Sequence, residues 1–322
     1  MKSIAALMFF VILTPLYAGE QKKSSHAFSL SAELGMLYGT SYEIVYYSPS
    51  GRRYLSELQW NLKPLFFAGL SAAFAPRNPL DRIAFFAELE IKMGLPGKTG
   101  VTEDRDWFPI VSPPGSLTHF SSHENYARAA FLADLGGGVS FPLGHSAAVK
   151  LSLDLSYMFF KHEAWDGYIQ YGPNYYDPPQ YEPWNSSFEK KSLSGLGMDY
   201  TQHWFIASPG IAFVVPGKSV SFSIFVAASP AVICVAFDNH FWRDLLTHEL
   251  MFGGFFFETE VNFFFAFSES LGIGLSVSYR TISETRGDRF DTENGIDTPW
   301  IRDVAGAGYK AIQGKAAFRI RF

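Results

Sequence analysis

The sequence predicts an all-β fold: a ten-stranded antiparallel transmembrane β-barrel. The chain is 48% hydrophobic and 17% aromatic, yet its mean hydropathy is only +0.04, because polar residues interrupt the apolar ones throughout. Beyond the N-terminus no stretch of about 18 residues is free of polar side chains, so no transmembrane helix is predicted. Apolar residues instead alternate with polar ones in long segments, which is typical of barrel strands. Composition alone also fits a soluble all-β domain.

The N-terminus predicts a signal peptide over residues 1–18, followed by one domain over residues 19–322. Lys2 is the charged start, Ile4 to Leu13 form an apolar segment of the usual length, and cleavage is expected after Ala18. An exported chain without a helical anchor goes to the periplasm or the outer membrane. The alternating pattern favours the outer membrane of a Gram-negative-type bacterium.

Charge and cysteine content exclude two other classes of protein. The formal net charge is −5 and the sequence has no basic stripe, so no nucleic-acid partner is expected. Cys234 is the single cysteine, which excludes an intramolecular disulfide framework. We expect it to be an unreactive core residue.

The first strand begins near Phe28, and its two faces are clearly separated. The alternation continues as far as Glu43, over more residues than a globular strand needs. We expect the apolar face to point out of the barrel and the polar face into the lumen. The outward set is Phe28, Leu30, Leu34, Met36 and Tyr38, and the inward set is Ser29, Ser31, Glu33, Gly35, Gly39, Ser41 and Glu43.

Short turn sequences and long polar stretches divide the rest of the chain into strands. Short turns are expected at 48–51, 76–79, 142–145, 216–218 and 267–270, and long loops at 95–124, 171–195 and 286–303. Short turns that alternate with long loops are typical of bacterial barrels, where the turns are periplasmic and the loops extracellular.

Two strands carry a further signal. The last one alternates and ends in Phe322, which places Arg319 and Arg321 in a wet lumen. In the seventh strand the side-chain phase changes between Ala228 and Pro230. Proline within a strand belongs at a bulge or an edge, and a bulge shifts the phase by one residue. We therefore predict a bulge there.

Two pairs of ionisable residues are expected at the mouth of the barrel. Asp104 and Asp106 end the ascent of the third strand, and Asp238 and His240 end that of the seventh. Residues two apart lie on the same side of a strand. Asp238 would orient His240 as a general base, and the two aspartates would hold a water opposite it. Because they share a site, Asp104 and Asp106 should titrate as a coupled pair with one raised pKa.

Each pair also occurs by chance in solvated loops. A metal site built from the two aspartates, His240 and His123 is another interpretation. No second histidine at helical or hairpin spacing favours it.

Several motifs, in this order, resemble those of the omptins, a family of outer-membrane endopeptidases with an aspartate–histidine active site. The motifs are Leu34–Gly39 with Glu43 and Val45-Tyr46, Ser56–Trp60, Asp104-x-Asp106-Trp107, Pro114–Thr118, Ser121–His123, Asn125–Ala127, Asp238-x-His240 and Gly306–Gly308. The resemblance runs nearly end to end. It implies an activated-water mechanism with no metal and no cofactor, and catalytic roles for Asp104, Asp106, Asp238 and His240.

The resemblance also implies a substrate-binding set. Ser121 and His123 fall where the family has active-site neighbours, with an ordinary polar loop as the alternative. Family members cleave at basic residues, and Glu43 stands at one of the acidic positions of their S1 pocket. The second acidic position is Ala236, and the acidic position of the next subsite is His119. We expect a basic residue at P1 without a strict dibasic preference.

Omptins bind lipopolysaccharide on the outer wall of the barrel and need it for activity. The family's aromatic, acidic and basic positions on the fifth strand correspond to Tyr157, Phe159 and Lys161. The resemblance therefore implies Tyr157 and Lys161 as lipid-binding residues, with Phe159 replacing the acidic group. An aromatic girdle with a snorkelling lysine is the alternative.

Two functions follow from the sequence. One is an endopeptidase acting on peptide or protein substrates at the cell surface. The other is an omptin-like barrel that serves as an adhesin or receptor, with altered or lost protease activity. A diffusion pore is disfavoured, because a barrel of about ten strands is largely filled by side chains.

Overall fold

The computed structural model describes residues 26–49, 51–109, 115–174 and 181–322. The predicted signal peptide lies outside the described residues. The strands are β1 (His26–Tyr46), β2 (Tyr54–Pro76), β3 (Ala84–Gly94), β4 (Gly97–Asp106), β5 (His119–Leu143), β6 (Ala147–Tyr171), β7 (Lys191–Val215), β8 (Val220–Ser229), β9 (Val232–His240), β10 (Leu245–Gly253), β11 (Phe256–Ala266), β12 (Leu271–Glu293), β13 (Ile296–Asp297) and β14 (Ile301–Arg321). Within these residues no helix is long and apolar enough to cross a membrane.

The strands close into the predicted ring of ten. Consecutive strands pair antiparallel, and β1 pairs β14 to close the barrel, with Ser29 opposite Arg321 and Val45 opposite Ala305. Three of the ten barrel strands are interrupted and form the pairs β3/β4, β8/β9 and β10/β11. At the last interruption Gly253 and Gly254 have φ of 106° and 72°, a left-handed backbone that favours glycine.

The two faces of β1 are as predicted. Outward Leu34 and Tyr38 are 68% and 59% exposed, whereas inward Glu33 is 4% exposed. The same pattern continues round the barrel and produces an outer band of apolar side chains. Its upper edge on one side is a row of outward rings in mutual contact: Tyr157, His203, Phe237, His248 and Phe290.

The strands are longer than the sequence indicated. Most of the stretch 95–124, predicted to be a loop, forms β4 and the start of β5, and most of 286–303 belongs to β12, β13 and β14. The end of the 171–195 stretch belongs to β7. These predictions were wrong because the extensions rise beyond the apolar band. There an outward face is polar, so the alternation that identifies a barrel strand is lost.

The predicted bulge is confirmed in the seventh barrel strand, which β8 and β9 form together. β7 pairs Gly210 with Ala227 and Ile206 with Val232. Four steps along β7 therefore match five along its partner, which leaves one extra residue at the break between β8 and β9. The extra residue turns the odd inward phase of β8 into the even inward phase of β9, and so directs Asp238 and His240 into the lumen.

Inside the band, the lumen is filled by ion pairs. Arg280 reaches Asp134 and Glu258 at 3.2 and 2.9 Å. Lys92 reaches Glu90 at 2.8 Å, and Lys315 also contacts Glu90. Arg319 points inward as predicted, with its guanidinium 4.7 Å from the Phe264 ring centre. The lower lumen is therefore a packed, charged core.

Candidate active site

The four predicted catalytic residues lie at the upper ends of their strands and face the lumen. Asp104 and Asp106 are on the inward side of β4, and Asp238 and His240 are on the inward side of β9. Asp104, Asp238 and His240 are 9%, 3% and 9% exposed. The apolar band ends at Tyr38 on β1 and at Phe237 on β9, so the four residues lie above it.

Asp238 and His240 form a hydrogen-bonded dyad. Nε2 of His240 lies 2.5 Å from Oδ2 of Asp238, and Nη2 of Arg243 lies 2.7 Å from Nδ1 of His240. Arginine can only donate. Nδ1 is therefore the accepting nitrogen, and Nε2 carries the proton that is donated to Asp238. Arg243 belongs to a short 3₁₀ helix, Phe241–Arg243, that follows β9 directly.

In the opposite pair, Asp104 and Asp106, the first carboxyl is hydrogen-bonded to the neighbouring strand β2. Ser56 donates a hydrogen bond to Oδ1 of Asp104 at 3.2 Å. Burial raises the pKa of Asp104, although the charges of His240 and Arg243 oppose it. Burial, followed by the charge of Asp104, raises the pKa of Asp106 well above its usual range. The sequence predicted one raised pKa in this pair; both are raised, and that of Asp106 is raised further.

The pKa of Asp238 is shifted in the opposite direction to those of Asp104 and Asp106. Burial acts to raise its pKa, but the positive charge that His240 carries when protonated, together with its hydrogen bond, outweighs burial and lowers it. Because the charge of a protonated His240 would also lower the pKa of Asp104, the two halves of the site lie within electrostatic range of each other. Carboxyl groups whose environments separate their pKa values can serve as proton donor and acceptor in one site.

Ser121 and His123 lie beside this site on β5. Ser121 is the ladder partner of Asp104. Nδ1 of His123 donates to the backbone oxygen of Asp166 at 2.7 Å, so its Nε2 accepts the Ser121 hydroxyl at 3.0 Å. Burial lowers the pKa of His123. The imidazole is thus a neutral, oriented neighbour of Asp104.

Glu43 lies beside Asp238 and is 1% exposed. Burial, then the charges of Asp238 and Glu249, raise its pKa well above the usual range. Ala236, two residues before Asp238, is fully buried and also faces the lumen. His119 instead packs among aromatic rings, with ring-centre distances of 5.0 Å to Phe108, 4.4 Å to Tyr171 and 5.1 Å to Tyr181.

The two candidate lipid-binding residues point outward on β6. The Tyr157 hydroxyl lies 2.8 Å from Nδ1 of His203, and Nζ of Lys161 lies 3.3 Å from Asp199. Phe159 packs against His203 with ring centres 5.0 Å apart. Asp199 on β7 thus places a carboxylate beside Lys161, next to the position where Phe159 carries none.

Sequence reasoning missed three polar neighbours of the site: Ser56, Arg243 and Glu249. Arg243 follows His240 by three residues, but only the tight turn after β9 brings it back onto the imidazole. Glu249 lies at one of the alternate positions of β10 that face the lumen. In the described parts of the chain, no group of three or more His, Cys, Asp or Glu residues has an arrangement that could hold a metal ion.

Known proteins similar to this chain include one family and one solved structure of the same fold. The family model described as the Omptin family matches residues 24–322. The outer membrane protease OmpT from Escherichia coli has a TM-score of 0.79 at 16% identity, covering 94% of this chain and 99% of its own. The outer membrane protein OprG from Pseudomonas aeruginosa covers 92% of this chain and 96% of its own at 8% identity, but its TM-score of 0.36 supports no argument. A search of curated proteins gave no match.

Proposed function

The chain belongs to the omptin family, and from that premise we propose that it is an endopeptidase whose attacking water is activated by Asp238–His240 and Asp104–Asp106. It is an outer-membrane β-barrel, with its activity exposed at the cell surface. The observation that carries the proposal is the dyad itself, in which a buried carboxylate with a lowered pKa holds a histidine at the mouth of the barrel, opposite two carboxyls with raised pKa values.

In the proposed reaction, His240 is the general base. Its Nδ1 takes a proton from the water as the oxygen adds to the scissile carbonyl carbon, and Asp238 stabilises the imidazolium that forms. The same proton then passes to the leaving amine nitrogen as the C–N bond breaks. Asp106, which retains its proton because of its raised pKa, donates a hydrogen bond within the site. Arg243 must leave Nδ1 before the step begins.

The P1 residue is proposed to be basic. The buried carboxyl of Glu43 lies next to Asp238 and has an oxygen without a hydrogen-bond partner. A buried carboxylate of this kind favours a cationic partner. Equal cleavage after Arg, Leu and Gln in a peptide series would sink this assignment.

Outer-membrane lipid is proposed to bind at Tyr157 and Lys161. Both face outward at the upper edge of the apolar band, where Lys161 can reach a headgroup phosphate. Lipopolysaccharide is the proposed activator. The comparison of Lys161→Ala with wild type, each assayed with and without lipopolysaccharide, tests this: equal stimulation of both would argue against the site.

The decisive experiment compares refolded wild type with His240→Ala on quenched fluorescent peptides. Loss of the general base should lower kcat by about 10²- to 10⁴-fold. The matched control is His145→Ala, which removes an exposed histidine in the turn between β5 and β6 and should leave kcat unchanged. Unchanged cleavage by His240→Ala would end the catalytic assignment.

A surface adhesin or receptor with altered or lost protease activity is the second candidate. One observation favours it, namely that Arg243 occupies the base nitrogen of His240. The same assay separates the two functions, because a barrel that has lost catalysis shows no cleavage that depends on His240.

A further inference from the structure

A buried glutamate on β10 faces the position where the expected S1 pocket lacks its second acidic residue. Ala236 and Glu249 are direct partners in the antiparallel ladder. Both point into the lumen, with exposed fractions of 0% and 2%. Directly opposed residues have Cβ atoms about 4.5–5.5 Å apart. The carboxylate of Glu249 can therefore enter the space that a longer side chain at position 236 would fill.

The Glu249 carboxylate lacks a partner in the described parts of the chain. Both of its oxygens are buried and accept no hydrogen bond, and Oε2 of Glu43 is in the same condition. The charge of Glu249 acts on Glu43, so the two carboxylates share one region of the lumen. An unpaired buried carboxylate is costly, and burial accordingly raises the pKa of Glu43. A cation bound between the two would remove that cost.

The basic side chains nearby are already engaged. Arg289 on β12 is the ladder partner of Glu249. Its Nε and Nη2 atoms, however, donate to the Asp291 carboxylate at 2.8 and 3.2 Å. His240 is bound to Asp238. Arg289 therefore has a carboxylate of its own, His240 is already bound, and Glu43 and Glu249 are left without a paired basic side chain among the described residues.

We propose that Glu249 is a specificity-determining residue that, together with Glu43, binds the guanidinium or ammonium group of a basic P1 side chain. This rests on the proposed endopeptidase function. An acidic residue at position 236 would supply its carboxylate from β9. Here Glu249 supplies the carboxylate from the neighbouring strand, β10, directly opposite Ala236. Peptides with Arg or Lys before the scissile bond are then substrates even though position 236 is alanine.

Cleavage of a peptide series that differs only at P1 (Arg, Lys, Gln or Leu) tests the proposal. Glu249→Gln keeps the size of the side chain and removes its charge. In this variant kcat/KM for Arg and Lys should fall about 10- to 100-fold, while the values for Gln and Leu stay within about twofold. Selective loss is the informative result, because a merely structural residue would affect all four peptides alike.

A carboxylate introduced at position 236 should restore the preference for Arg at P1 that is lost with Glu249. Glu249→Ala should lose the preference for Arg, and adding Ala236→Asp should restore it from β9. The matched control is Glu260→Gln, which removes a lumenal carboxylate 3.9 Å from Lys315 on the lower part of the same hairpin. It should leave the ratio of Arg to Leu cleavage unchanged. A wild-type ratio in Glu249→Gln would overturn the proposal, and His240-dependent cleavage would still support the endopeptidase.

A binding measurement removes the dependence on turnover. Benzamidine, a small amidinium cation, should bind to refolded wild type and to His240→Ala in calorimetry, and Glu249→Gln should weaken its binding about tenfold. Heat-modified mobility on gels verifies that each variant is folded. If benzamidine does not bind to wild type, or binds equally to Glu249→Gln, the two carboxyls are not a cation site, whatever the peptide assay shows.

Discussion

The lower and upper parts of the lumen differ in whether the buried acidic side chains named below are paired with a basic side chain. In the lower lumen Glu33, Glu90, Asp134, Glu258 and Glu260 each have a lysine or arginine within 3.9 Å. In the upper lumen Glu43, Asp104, Asp106 and Glu249 have no basic side chain within salt-bridge distance among the described residues. Both groups are carried by inward positions of the same barrel, so alternation does not distinguish them.

The difference separates stability from function. A paired buried charge is compensated inside the protein, and breaking the pair is costly. An unpaired one remains available to a proton, a water or a ligand, and clusters of such groups are typical of functional sites. The lower lumen therefore closes the barrel as a core, whereas the upper lumen is suited to bind and react.

The largest expected effect is on stability, in the lower lumen. Arg280→Met leaves Asp134 and Glu258 without their arginine and should lower the free energy of unfolding by about 3–5 kcal/mol. Urea unfolding in lipid vesicles measures it. Arg302→Met, at the exposed end of β14, is the control and should stay within about 0.5 kcal/mol of wild type. Equal stabilities of the two variants would show that lumenal pairing does not hold the barrel together.

In the upper lumen the expected effect is on activity. Asp106→Asn should lower kcat about 100-fold, while the free energy of unfolding stays about equal, because asparagine is as uncharged as the protonated carboxyl that it replaces. Peptide cleavage and urea unfolding of the same preparation measure both quantities. A loss of stability comparable to that of Arg280→Met would remove the distinction between the two regions.

The upper lumen should also make stability depend on pH. Asp104 and Asp106 have raised pKa values in the folded state, so the folded protein binds more protons than the unfolded chain once pH exceeds the usual carboxyl range. Stability should therefore fall as pH rises from about 4 towards the folded values, by at most about 1.4 kcal/mol per pH unit for each group. Asp238, with a lowered pKa, contributes stability that is lost only at more acid pH.

The double variant Asp104→Asn/Asp106→Asn isolates this contribution. Unfolding measured between pH 4.5 and 7 should show a smaller slope in the variant than in wild type. Parallel curves would mean that neither carboxyl is protonated in the folded protein.

The smallest expected effect concerns the arginine that covers the base. Arg243 is exposed, and its hydrogen bond to Nδ1 of His240 competes with a water. Arg243→Ala should raise kcat by about 2- to 5-fold, because a contact from an exposed charged side chain is weak. Arg243→Lys keeps the charge and serves as the control. A fall in kcat in Arg243→Ala alone would indicate instead that Arg243 assists the reaction.

The sequence by itself determined the barrel, its ten strands, the inward face of β1 and the bulge before β9. All of these follow from a period of two residues and from the place of one proline, which are local properties of the chain. It also located Asp104, Asp106, Asp238 and His240 at strand ends, because two-residue spacing fixes a common face wherever the strand lies.

Only the tertiary structure decided how far the strands rise above the apolar band, where no lipid imposes an alternating pattern on residues 97–106 or 286–293. It alone set Arg243 against His240 and Glu249 opposite Ala236. Those neighbours depend on turn geometry and on strand register. Register is fixed by packing between segments. The pattern along a single strand therefore does not determine which side chains contact each other across a pair of strands.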